Sequence, residues 1–144
     1  MISRTRSVSH PDGLPDLFLD RSLGRIQVPR LLRDAGLRLI TLAEHYGIPE
    51  DEGVTDVEWL ELAGRNGWAV LLKDARIRGR TAERQTVQRF EVRCFCVTRQ
   101  TLTAAQMAQR YLDQLDAITN ACAEPGPFIY AVQEGRIERL DLGP

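Results

Sequence analysis

The sequence predicts an α/β domain in which buried parallel strands alternate with helices, and three observations carry that prediction. Two apolar runs of strand length, Leu17-Phe18-Leu19 and Trp68-Ala69-Val70-Leu71-Leu72, have no polar alternation, and an aspartate stands at or just past the end of each. Strands covered on both faces read this way, whereas half-exposed strands alternate. The stretch before the second run carries explicit helix start and stop signals. Residues 17–42 read as strand, helix and strand, and a right-handed crossover brings the carboxyl ends of such strands to one sheet edge.

Residues 1–16 hold Arg4, Arg6, three serines, His10, Pro11, Gly13 and Pro15. With so little to bury, they read as a flexible leader, which places the domain at 17–144. Leu17 to Leu19 form the first strand. Leu23 to Ala35 forms a helix that tolerates Pro29 near its start and stops at Gly36, and Leu37 to Leu42 is a second buried strand. Glu44 to Gly53 is an acidic connection.

Thr55 and Glu58 have capping-box spacing, and Asp56 puts negative charge at the positive end of a helix dipole, so a helix starts near Asp56. Trp59, Leu60, Leu62 and Ala63 form its apolar face, and Gly64 with Asn66-Gly67 stops it before the strand Trp68–Leu72. An Arg-rich loop then leads to a helix over Thr81–Phe90 and a strand over Val92–Thr98. A further helix, capped by Thr103, runs to Asn120. Phe128–Gln133 and Ile137–Leu142 pair as a terminal hairpin around Glu134-Gly135.

The 144 residues, 43% of them hydrophobic, suit one domain with a real core. A net charge of −1 argues against a polyanion-coated protein. The distribution of charge says more. Glu44 to Glu61 holds seven acids and no Lys or Arg, while Lys73 to Arg93 holds seven bases against three acids. Cys94, Cys96 and Cys122 lack metal-finger spacing and read as core thiols. No apolar run approaches membrane-spanning length and no signal-peptide core opens the chain, so a cytoplasmic protein is expected.

Asp20 and Asp74 each stand where open α/β sheets place ligand-binding groups, outside the carboxyl ends of strands. Asp74 could equally open a turn. Asp56, at a helix start, faces the same edge, which makes a carboxylate triad geometrically reasonable. Clustered hard oxygen donors without His or Cys pairs favour Mg2+ or Mn2+ over zinc. Arg76, Arg78 and Arg80 could take phosphate oxygens or pair with acids such as Glu83, and Arg21 beside Asp20 has the same two options. Trp59 and Trp68 read as core.

Phe18-Leu19-Asp20, Thr55-Asp56 running into Leu60-Glu61-Leu62-Ala63, and Leu71-Leu72-Lys73-Asp74 together resemble the PIN-like domain, in particular that of VapC-type toxins. The likeness spans about residues 17–98. It implies a three-layer sandwich with a mostly parallel central sheet and helices on both faces. It also implies an Mg2+- or Mn2+-dependent ribonuclease with catalytic Asp20, Asp56 and Asp74. The metal set would be completed by Glu44, with His45, Asp51 and Glu52 close by, and RNA would be met by Arg21, Lys73, Arg76, Arg78 and Arg80. The implied partners are RNA, a cognate antitoxin and, as a further possibility, a second copy in a homodimer; no membrane is involved. Two readings of other classes compete. A receiver-like signalling domain needs an acidic pair at the end of its first strand, where Leu19-Asp20-Arg21 supplies one acid. A PIN-fold binding module without catalysis would keep the fold and bind RNA or protein without cutting.

Overall fold

The computed structural model describes residues 9–98 and 101–143. Six strands make one sheet: β1 (Leu17–Leu19), β2 (Leu39–Thr41), β3 (Ala69–Lys73), β4 (Arg93–Val97), β5 (Phe128–Val132) and β6 (Ile137–Leu140). Their order is β2-β1-β3-β4-β5-β6. All neighbours are parallel except the β5–β6 hairpin, which is antiparallel as its Glu134-Gly135 turn predicts. Among the described residues six α-helices accompany the sheet: α1 (Gln27–Asp34), α2 (Leu42–Tyr46), α3 (Asp56–Asn66), α4 (Thr81–Arg89), α5 (Ala104–Asp113) and α6 (Leu115–Ala121).

The interior strands are apolar on both sides because both sides are covered. On one face Leu17, Leu19, Leu71, Phe95 and Val97 pack with Val28 and Leu32 of α1 and with Met107, Tyr111 and Ile118 of α5 and α6. On the other, Phe18, Val70, Leu72, Cys94 and Cys96 pack with Trp59, Leu60 and Ala63 of α3 and Val87 of α4. The result is the expected three-layer sandwich. Trp68 stacks on Phe18 at 5.7 Å, and Trp59 is fully buried, as read from the sequence. All three cysteines are free and buried. Burial pushes the Cys96 thiol up to about 12 and that of Cys122 up to about 11, so neither supplies a ready thiolate.

Four local readings change. The second strand ends at Thr41, because Thr41 and Glu44 close a capping box and start α2 at Leu42. Gly64 lies inside α3 and does not stop it; a Cβ there would come within 2.6 Å of Phe90, so glycine serves the close approach of α3 to the end of α4. The stop is Gly67, in the left-handed region at φ 68°. The last long helix is two, broken at Gln114. Of the expected leader, residues 1–8 lie outside the described residues. Within the remainder, Leu14 is buried in the core, and His10 accepts from Arg38 N–H at 3.0 Å while its other ring nitrogen lies 2.9 Å from the Leu14 carbonyl. This part packs on the domain and does not trail from it.

Candidate active site

The chain leaves β1 toward β2 on one side and returns through α2 and α3 to β3 on the other, so the strand order reverses between β1 and β3. A crevice opens at such a point, at the carboxyl ends of the strands. Here Asp20, Ser22, Asp56, Lys73, Asp74 and Arg80 are among the residues around a cavity of about 100 Å3. The structure thus brings Asp20, Asp56 and Asp74 together from the end of β1, the start of α3 and the end of β3.

Local chemistry fixes each carboxylate. Asp20 caps a 3-10 turn (Arg21–Leu23): its Oδ2 accepts from Ser22 Oγ at 2.7 Å and from Ser22 N–H at 3.3 Å. The Asp20 N–H donates to Leu71 O at 3.1 Å and Lys73 N–H donates to Ser22 Oγ at 2.9 Å, which ties the turn to the end of β3. Asp20 Oδ1 is buried and has no hydrogen-bond partner. Burial, and then the nearby Asp56 charge, raise the Asp20 carboxyl above the ordinary carboxylate value despite the Ser22 bonds that oppose them.

Asp56, in the first turn of α3 after the Thr55 cap, accepts from the Trp59 indole N–H at 2.9 Å and lies 3.5 Å from the Arg80 guanidinium. Asp74 sits just past β3 with φ 61°, a left-handed conformation that aspartate tolerates by bonding its own backbone. Its Oδ1 accepts from Arg76 N–H at 2.9 Å, and its Oδ2 accepts from Arg76 Nε and Nη2 at 3.2 Å each. Asp74 therefore opens a turn and lines the cavity; the two readings are one. With each carboxylate held by its own partner, no three His, Cys, Asp or Glu side chains among the described residues stand as a ready-made ion cage.

The other acids lie elsewhere. Glu44 closes the α2 capping box by accepting from Thr41 N–H at 3.0 Å and takes two bonds from Arg33, at 2.6 and 2.8 Å, and that guanidinium lowers its carboxyl below the ordinary value. Asp51 is buried and paired with Arg25 at 2.8 Å, with Glu52 3.7 Å from the same guanidinium. Like Asp20, Asp51 keeps one buried oxygen without a partner. None of these three, nor His45, which packs edge-on against Trp68, is among the residues that line the cavity.

The expected RNA-contacting residues also divide. Lys73, Arg76 and Arg80 line the cavity. Arg76 and Arg78 line an adjoining open groove of about 580 Å3. Arg21 is turned away, donating to the carbonyls of Asp51 and Val54 at 2.9 and 2.7 Å, so it holds the acidic connection in place. Two residues of the site escape a reading by composition. Ser22 is signalled only by its place two after Asp20, the spacing of a capping turn, and the polar role of Trp59 only by its place three after Asp56 on a helix.

Among the described residues no helix is long and apolar enough to cross a membrane. No solved structure matches the chain. Over 127 residues it is 47% identical to the Mycobacterium tuberculosis protein named "Putative ribonuclease VapC45", covering 88% of this chain and 92% of that one. Residues 15–99 match the family model described as "PIN like domain". A receiver-like fold is thereby set aside, and the chain belongs to the PIN-like domain family.

Proposed function

We propose that the protein is a divalent-metal-dependent endoribonuclease and the toxin of a toxin-antitoxin pair, acting with Mg2+ or Mn2+ at Asp20, Asp56 and Asp74. The observation that carries the reading is the convergence of these three carboxylates on one small cavity, with Asp20 keeping a buried oxygen that nothing satisfies. A buried carboxylate with one oxygen unpaired, beside a second carboxylate, is costly, and a hard cation relieves both charges. The donor set therefore fits such an ion once Arg76 and Arg80 yield the outer carboxylates. Family membership and the name of the mycobacterial relative support the same class of activity.

A bound ion of this kind supplies a water of lowered pKa and offsets charge on the phosphate. The chain's own residues do the remainder. Ser22 holds the Asp20 carboxylate with Oδ1 free, and Trp59 fixes Asp56 through its Oδ1. Lys73, Arg76 and Arg80 stand at the rim, where they can bind phosphate oxygens and orient the phosphodiester for in-line attack. Water gives up a proton to solvent as its oxygen bonds phosphorus, the bond to the leaving ribose oxygen breaks, and that oxygen takes a proton from solvent. The ligand set proposed is the cavity trio, without Glu44, which Arg33 and the α2 cap already hold.

The arginine pairing of Asp56 and Asp74 favours a second reading, a binding module that has kept the fold without the chemistry. One experiment separates them. Purified protein should cut single-stranded RNA with Mg2+ or Mn2+ and not with EDTA, Asp20→Ala should abolish cutting, and growth arrest on expression should be relieved by a neighbouring antitoxin. RNA bound but left intact by the wild type would establish the second reading.

A further inference from the structure

We propose that Arg76 stands in for a cation on Asp74 and is handed to a phosphate of the RNA backbone when the carboxylates take their metal ion; this rests on the metal-dependent reading above. Three observations converge on it. The Arg76 guanidinium lies on Asp74 Oδ2, yet its side chain is 73% exposed against 19% for Asp74, so it covers the carboxylate from the solvent side. The same residue borders both the 100 Å3 cavity and the 580 Å3 groove beside it. Rotation of one exposed side chain therefore carries its charge from one to the other. Meanwhile the Arg76 backbone N–H remains on Asp74 Oδ1, so the carboxylate stays oriented when the guanidinium leaves.

Arg80 is built differently. It lies 3.5 Å from Asp56 and 3.9 Å from Glu83, one helical turn on, so loss of Asp56 leaves it a partner. Charge released on filling the site should thus come from Arg76. The groove that receives it is lined by three arginines, Arg76, Arg78 and Arg84, against one acid, Asp141: Arg78 donates to the Asp141 carbonyl, Arg84 donates to the Arg78 carbonyl, and Arg84 Nε is buried without a partner. A phosphodiester next to the one being cut is the ligand whose charge matches that floor, and Arg76 would bridge the two.

The test measures two couplings. Calorimetric titration with Mn2+ alone should show Arg76→Gln binding the ion about two- to fivefold more tightly than wild type, the range expected when an exposed ion pair stops competing for a carboxylate. Arg80→Gln should move less, and Arg76→Lys should fall between Arg76→Gln and wild type. A 12-nucleotide 2′-O-methyl RNA, followed by fluorescence anisotropy in EDTA and in Mn2+, should gain more affinity from the ion in wild type than in Arg76→Gln, because linkage is reciprocal. Equal Mn2+ affinity and equal gain in both proteins, with matching melting curves, would overturn the hand-over and leave the ribonuclease reading standing. A wild type that binds no Mn2+ would overturn both.

Discussion

The protein holds two groups of acids that look alike in sequence and differ in what surrounds them. Asp20, Asp56 and Asp74 line the crevice between β1 and β3; Glu44, Asp51 and Glu52 belong to the connection between β2 and α3. Both groups have arginine partners. In the connection those partners come from α1 and the segment before it, Arg33 on Glu44 and Arg25 on Asp51, and pin one element to another. In the crevice they come from the exposed turn after β3 and from the start of α4, and cover an open cavity. The difference teaches that an acid's fitness as a ligand depends less on its charge than on whether its partner is part of the frame.

The largest effect expected from that contrast is on cleavage. Asp74→Asn or Asp20→Asn should lower the rate by about three orders of magnitude or more, because the ion supplies both nucleophile and charge stabilisation. Glu44→Gln should leave it within a few-fold. A rate lost equally in Glu44→Gln, with the fold intact, would return Glu44 to the ligand set.

A smaller effect, of opposite sign in the two groups, is expected on stability. The Asp20 carboxyl is raised in the folded protein by burial and by Asp56, so the native state binds its proton more tightly than the unfolded chain does. Stability therefore falls as pH rises from the ordinary carboxylate value through the folded value. Asp20→Asn, which keeps the turn cap, should stabilise the protein at neutral pH by about 1 kcal/mol, and the gain should vanish in acid where both states are protonated. Glu44 is lowered by Arg33, so its contribution is present above the ordinary carboxylate value and lost as pH falls through the folded value. Because both side chains are partly exposed, Glu44→Gln should cost about 0.5 kcal/mol. Urea unfolding at pH 7 and pH 3 checks both signs.

The smallest effect concerns orientation. Trp59→Phe keeps most of the buried ring but removes the donor to Asp56 Oδ1. Mn2+ affinity should weaken about two- to tenfold, at or below the low end of the effect of groups that orient a ligand from behind. An unchanged affinity would make Trp59 purely a core residue.

Much of this is legible in the sequence alone. β1 and β3 declare themselves because an interior parallel strand is apolar on both faces, and Thr55 with Glu58 declares the start of α3 because a capping box is a local code. From those, the convergence of Asp20, Asp56 and Asp74 follows from topology. What stayed illegible is non-local or short. Arg33 meets Glu44 only because α1 packs beside β2, whose end leads into α2, a proximity that no spacing reveals. The five residues of α2 hide behind an apolar strand, and the break at Gln114 has no glycine or proline to mark it. Arg21 reads as a phosphate ligand or the partner of an acid until the fold shows it bonded to two backbone carbonyls of the connection.

The most direct test of the contrast is a calorimetric Mn2+ titration of wild type, Asp74→Asn and Glu44→Gln side by side. Saturable binding that disappears in Asp74→Asn and keeps the wild-type Kd in Glu44→Gln is the predicted result. Binding that survives Asp74→Asn but is lost in Glu44→Gln would place the ion in the connection and contradict the account.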